Sequence, residues 1–169
     1  MEFWKRVSAL FGLNDRGWMR HANPWSVYTR YLALPMLVLA IWSRSWVGGW
    51  YLAGVAAAIG WIFLNPILFS PPASTRNWAS RAVLGERVWL DRKNRPLPAH
   101  HANAVIPVTN LFSAIGFAAA LFGAWIFDAT LAVGGTLVTI LAKSWFLDRM
   151  VWLWLDVKDT EEEYRERDF

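Results

Sequence analysis

The sequence predicts an all-α membrane protein: four transmembrane helices arranged as two hairpins, with amphipathic helices at the membrane interface. Three observations carry that prediction. Stretches 24–43, 49–68, 104–126 and 129–148 each approach the ~20 apolar residues that a helix needs to cross a bilayer. Hydrophobic residues make up 56% of the 169 positions and 13 are tryptophan, more apolar surface than a soluble domain of this size readily hides. The basic residues also crowd into three of the five segments outside those stretches. The whole chain reads as a single transmembrane domain.

The N-terminal residues scatter charge and lack the unbroken apolar core of a cleavable signal peptide. Phe3, Trp4, Val7, Leu10 and Phe11 recur at helical spacing, which predicts a short interfacial helix. Lys5, Arg6, Arg16 and Arg20 precede the first span. Arg76, Arg81, Arg87, Arg92, Lys93 and Arg95 lie between the second and third, and Arg149, Lys158, Arg165 and Arg167 follow the fourth. The turn after the first span carries Arg44 alone, and the turn at Asp128 carries no basic residue. By the positive-inside rule both termini and the central loop are cytoplasmic, in the cytoplasmic (inner) membrane. The net charge of +4 is therefore a topology signal, with the lipid bilayer rather than nucleic acid as the partner.

The first and third spans both follow the triplet His-Ala-Asn, at 21–23 and 101–103. Thr29 matches Thr109 and Gly54 matches Gly134 in the same register, so a parallel repeat of two hairpins is the expectation. Asn23 and Asn103 read as helix caps, because an Asn oxygen accepts a backbone N–H that the first turn leaves unpaired. Pro24 suits the first helical position, Pro35 should kink the first span, and Pro66 the end of the second. Small residues spaced four apart (Gly54 and Ala58, Ala114 and Ala118, Gly116 and Ala120) allow close helix contact, within one chain or in a homo-oligomer or larger complex.

Arg30, Asn65, Asn110, Lys143, Asp148 and Arg149 all fall toward the cytoplasmic ends of their spans, a one-sided polar cluster suited to a ligand or to structural pairing. Residues 76–93 read as a cytoplasmic amphipathic helix with Trp78, Ala79, Ala82, Trp89 and Leu90 on one face. Glu86 projects near the middle of that face, where a carboxylate needs a partner. His21, His100 and His101 are candidate metal or cofactor ligands, since imidazole with carboxylate suits zinc or iron. No HxxxH, HExxH or CxxC spacing supports them, and no motif identifies a cofactor. The charged tail "DVKDTEEEYRERDF" is expected to be a solvated helical extension or a disordered end.

At "HANPWSVYTR", "NWASRAVLGERVWLDRK" and "PAHHANAVIPVTNLF" the chain resembles a family of small bacterial and archaeal integral membrane proteins of unknown function. The resemblance implies four transmembrane helices and supplies no activity, substrate or cofactor. Three classes of function remain. A transport or small-ligand-binding module with a cytoplasm-facing polar site leads. An accessory or structural subunit of a membrane complex follows. The third is a membrane enzyme acting through Glu86 and the histidines, with no catalytic residue assigned.

Overall fold

The computed structural model describes residues 15–101 and 103–169, and every regular element among them is helical. In chain order these are α1 (Asp15–His21), α2 (Pro24–Arg30), α3 (Ala33–Trp42), α4 (Arg44–Val47), α5 (Tyr51–Leu68), α6 (Trp78–Leu90), α7 (Val105–Ile126), α8 (Ala129–Val157) and α9 (Glu162–Arg165). Short 3-10 turns occupy Gly48–Trp50 and Ala99–His101. The helix expected from Phe3, Trp4, Val7, Leu10 and Phe11 lies outside the described residues.

Four helical runs are long and apolar enough to cross a membrane: Pro24–Trp42, Arg44–Leu68, Ala99–Ile126 and Ala129–Val157. The first run is two helices, broken at Tyr31 and Leu32. Pro35 explains the position of the break. Its ring excludes the carbonyl four residues earlier, that of Tyr31, and it has no N–H to offer. The fourth run continues nine residues past the expected end at 148, because the apolar pattern continues beyond Asp148 and Arg149. Met150 and Leu153 are fully buried and Trp154 nearly so. Each contributes about 1.5–3 kcal/mol by leaving water.

By its contacts the chain forms two compact units. One, Thr29–Ile62 with Ala102–Phe146, is nearly free of charge: Arg30, Arg44, Asp128 and Lys143 are its only ionisable Asp, Glu, Lys or Arg residues. Within it α7 and α8 run antiparallel with their backbones in contact. A Cβ added at Gly116 would sit 2.8 Å from the Thr139 amide nitrogen, and one at Gly123 or Gly135 would fall on the amide of Ala132 or Ala120. Val38, Leu34, Ile41 and Trp42 of α3 pack onto Ala120, Ala124 and Ala132. Phe127, in the left-handed conformation, ends α7, and the Asp128 carboxylate accepts the Leu131 N–H at 2.9 Å to start α8. The Arg44 guanidinium donates to the Ile41 and Ala124 carbonyls, at 3.0 and 2.9 Å, and to that of Trp125. It thereby satisfies carbonyls that the end of α7 leaves over.

Among the described residues the other unit comprises 15–28, Phe63–His101 and Leu147–Phe169. Helix α6 is its centre. Ala79, Ser80, Ala82, Val83, Leu84, Gly85 and Val88 are all buried, so α6 is covered around most of its circumference. The helix expected over 76–93 is present as Trp78–Leu90, with burial wider than a single apolar face. Leu90, placed on the apolar face from its spacing, is exposed. The reason is that neighbours cover more than one side. The Ser80 hydroxyl donates to the Ala22 carbonyl at 2.6 Å, Arg87 pairs with Asp15, and Gly85 lies against the Met150 carbonyl so closely that a Cβ would overlap it.

The tail is partly helical and largely exposed, as one of its two expectations had it, but it is docked at several points. Tyr164 is buried against Trp154, ring centroids 5.7 Å apart. Phe169 and Thr75 bond through backbone and side chain: the Thr75 N–H donates to the Phe169 carbonyl at 2.7 Å, and the Phe169 N–H to the Thr75 hydroxyl at 3.0 Å. Much of the tail's charge is paired at the surface. Arg95 pairs with Glu161 and Glu163, Arg167 with Glu163 and Asp15, and Lys158 with Asp168.

Candidate functional site

The polar residues singled out from sequence divide between the two units. Arg30, Asn110 and Lys143 belong to the apolar unit, and Asn65, Glu86, Asp148 and Arg149 to the polar one. Asn65 is fully buried and accepts the Ser26 hydroxyl at 2.7 Å. Asp148 accepts the Trp78 indole N–H at 3.3 Å. The Arg149 guanidinium lies 4.5 Å from the Trp152 ring centre, and the Lys143 ammonium 4.3 Å from that of Phe146. Glu86 is half-buried on α6 between Gly85 and Arg87, and Arg30 is half-buried at the end of α2. Asn110 is exposed on α7.

The two repeated triplets use their asparagines alike. Asn23 accepts the Trp25 N–H at 2.9 Å, and Asn103 accepts the Val105 N–H at 3.0 Å. Their histidines differ. His21 stands in the last turn of α1 with its ring edge-on to Trp18, 5.8 Å between centroids. His101 joins His100 in the polar unit, and the pair meets a carboxylate that sequence reasoning did not select, Asp156.

Three chain features build this cluster. The segment "RPLPAHH" holds two prolines that fix φ, and the His101 N–H closes a turn on the Pro98 carbonyl at 2.9 Å. Adjacent residues on that tight turn bring their rings side by side, centroids 4.4 Å apart. Near the end of α8, Asp156 then presents one oxygen, Oδ2, to both Nε2 atoms, at 2.8 Å from His100 and 2.7 Å from His101. His101 is 8% exposed, whereas His100 and Asp156 are 67% and 46% exposed. One anchored imidazole, one accessible imidazole and a reachable carboxylate thus share a point. The donor atoms of all three lie within 4.8 Å of one another, the separation at which a single ion could be held.

The profile of a family of unknown function (DUF6653) matches residues 3–167. The chain belongs to that family. No curated protein and no solved structure matches it. Family membership thus brings no activity with it, and the chemistry available to this DUF6653 member is read from its side chains.

Around the cluster the ion pairs of the polar unit are strongly set. The Arg87 hydrogen bond, aided by its charge, holds Asp15 below the usual carboxylate range. The hydrogen bond from Arg95 does the same for Glu163. Burial pushes the Asp168 carboxyl up, but the hydrogen bond and charge of Lys158, with the charges of Arg76 and Arg81, outweigh it and leave the group lowered. These carboxylates are committed to structural partners. Asp156 instead faces two imidazoles, groups that can both donate hydrogen bonds and ligate metal.

A sequence signal for Asp156 existed. Counting outward from the turn at Phe127 and Asp128, equal steps along two antiparallel helices bring Asp156 level with Ala99 and His100. Ending the last helix at 148 hid that coincidence.

Proposed function

We propose that this chain is a small-ligand-binding or transport module of the cytoplasmic membrane, with its binding site at His100, His101 and Asp156. In this reading four spans form two hairpins related as a parallel repeat, and the termini and central loop face the cytoplasm. The four long apolar helical runs and the distribution of basic residues support that topology. Exposed Leu39, Trp46, Trp50, Leu111, Phe112, Ile115, Leu137 and Leu141 are suited to lipid rather than water.

The observation that carries the binding role is the convergence of two imidazoles and a carboxylate on one point, two of the three accessible. Buried polar groups such as Asn65 and Ser26 satisfy each other and serve the fold; the histidine cluster has an accessible edge at which a solute can bind.

A second reading, a subunit of a homo-oligomer or larger membrane complex, is favoured by Asn110. It is exposed on α7 with Ala114 and Ala118 at four-residue intervals, within a run apolar enough to span a membrane. An amide and two small side chains on one helix surface suit contact with another helix.

Native mass spectrometry of the full chain, released gently from its own membrane, tests both readings. The binding role predicts a small non-lipid species bound in stoichiometric amount to the wild type and absent from Asp156→Asn. A bare wild-type chain overturns it. A stoichiometric protein partner or a homo-oligomer would support the second reading.

A further inference from the structure

We infer that His100, His101 and Asp156 form a three-ligand site for a borderline divalent transition-metal ion of the zinc type. The inference rests on the ligand-binding reading above and names the class of ligand.

Donor chemistry comes first. Two imidazole nitrogens and one carboxylate oxygen suit zinc and its transition-metal neighbours, whereas calcium and magnesium favour oxygen-rich shells. Geometry agrees. Ligand atoms about 2.0–2.2 Å from a tetrahedral zinc stand roughly 3.3 Å apart. The two Nε2–Oδ2 separations are 2.8 and 2.7 Å, so each need open by only about half an ångström to admit the ion. Coordination would replace the two hydrogen bonds that now hold the side chains together.

Unequal exposure fits a site that loads and unloads. His101 is buried and set by the turn on Pro98, so it supplies a preformed ligand. His100 and Asp156 are accessible and can close on an arriving ion. Three protein ligands leave a fourth position for water or a solute, the pattern of zinc sites that exchange or react rather than of closed structural ones. His21, in the last turn of α1 against Trp18, is outside the group of converging ligand atoms.

The test is zinc(II) titration of the chelator-stripped, full-length protein in detergent, read by calorimetry and by the zinc-dependent rise in melting temperature. Cobalt(II) in place of zinc supplies a visible absorption band. The expected result is one zinc per chain, not displaced by a hundredfold excess of magnesium. Affinity falls at least about tenfold in His100→Ala and Asp156→Asn and is unchanged in His21→Ala. His100 is largely exposed, so its variant should keep the fold even where Asp156→Asn loosens the turn. No stoichiometric uptake by the wild type overturns the inference. So do unchanged affinities in His100→Ala and Asp156→Asn, or an equal loss in His21→Ala. If the species retained from the native membrane is instead a non-metal lost from Asp156→Asn, the metal inference fails while the ligand-binding reading stands.

Discussion

The two units of this chain are held together by different interactions. In the apolar unit the helices meet backbone to backbone: Gly116, Gly123 and Gly135 remove the side chains that would separate α7 from α8, and Arg44 fastens the end of α7. Close packing there draws on dispersion and good fit, with few charges to arrange. In the polar unit ion pairs link α1, α6, the segment after α6, and the tail, while a fully buried Ser26–Asn65 bond joins two distant parts of the sequence. The comparison shows that one helical sequence can combine a shape-dependent unit with a unit that depends on pairing. It also places the His100, His101 and Asp156 cluster in the unit that already organises charge.

Two adjacent glycines give the largest test of the shape-dependent unit. A Cβ at Gly135 meets the Ala120 backbone, while one at Gly134 meets nothing within 4 Å. Gly135→Ala should cost about 1–3 kcal/mol or prevent folding, as overpacking does. Gly134→Ala should be neutral or stabilise by up to about 1 kcal/mol, because alanine favours helix. Thermal unfolding in detergent compares them, and equal effects would refute the close α7–α8 contact.

The buried pair of the polar unit gives the next test, with a loss short of preventing folding. Asn65→Leu removes the acceptor of the Ser26 hydroxyl and should cost about 1–3 kcal/mol. Adding Ser26→Ala should recover part of that loss, since no hydroxyl is then left buried. A double-mutant cycle on melting temperature measures the recovery, and strict additivity would show that the bond contributes nothing.

Acidification should separate the units with the mildest effect. Asp15, Glu163 and Asp168 are lowered from their ordinary values, so their contribution to stability is present above the unfolded carboxylate range, about pH 4. It is lost as pH falls through that range toward their lower folded values. Asp15 and Glu163 are substantially exposed, so solvent screens their share. Lowering pH from 7 to 3 should expose the tail to pepsin before α7 and α8. Simultaneous cleavage of both regions would contradict the distinction.

The apolar lengths are legible because a span is a local quantity. Helix α7 begins at Val105 where 104 was expected, and α5 at Tyr51 where 49 was expected. The break at Tyr31 was legible too, once the clash of Pro35 is counted back four residues. The end of α8 was harder, since Asp148 and Arg149 mark where a bilayer would end while the backbone remains helical on the strength of buried Met150, Leu153 and Trp154. The docking of the tail was hidden for the same reason: composition records that Arg95, Glu163 and Arg167 are polar, not that they pair.

By itself, then, the sequence determined the helical class, the four long apolar runs and the residue types available for binding, because periodicity, proline sterics and apolar length act within a few turns. Only the tertiary structure decided that α6 is buried on several sides, that the tail docks on Thr75, and that Asp156 meets His100 and His101. Those outcomes depend on contacts between residues far apart in the chain, where a difference of one helical turn changes the partner and neither composition nor local pattern records the distance.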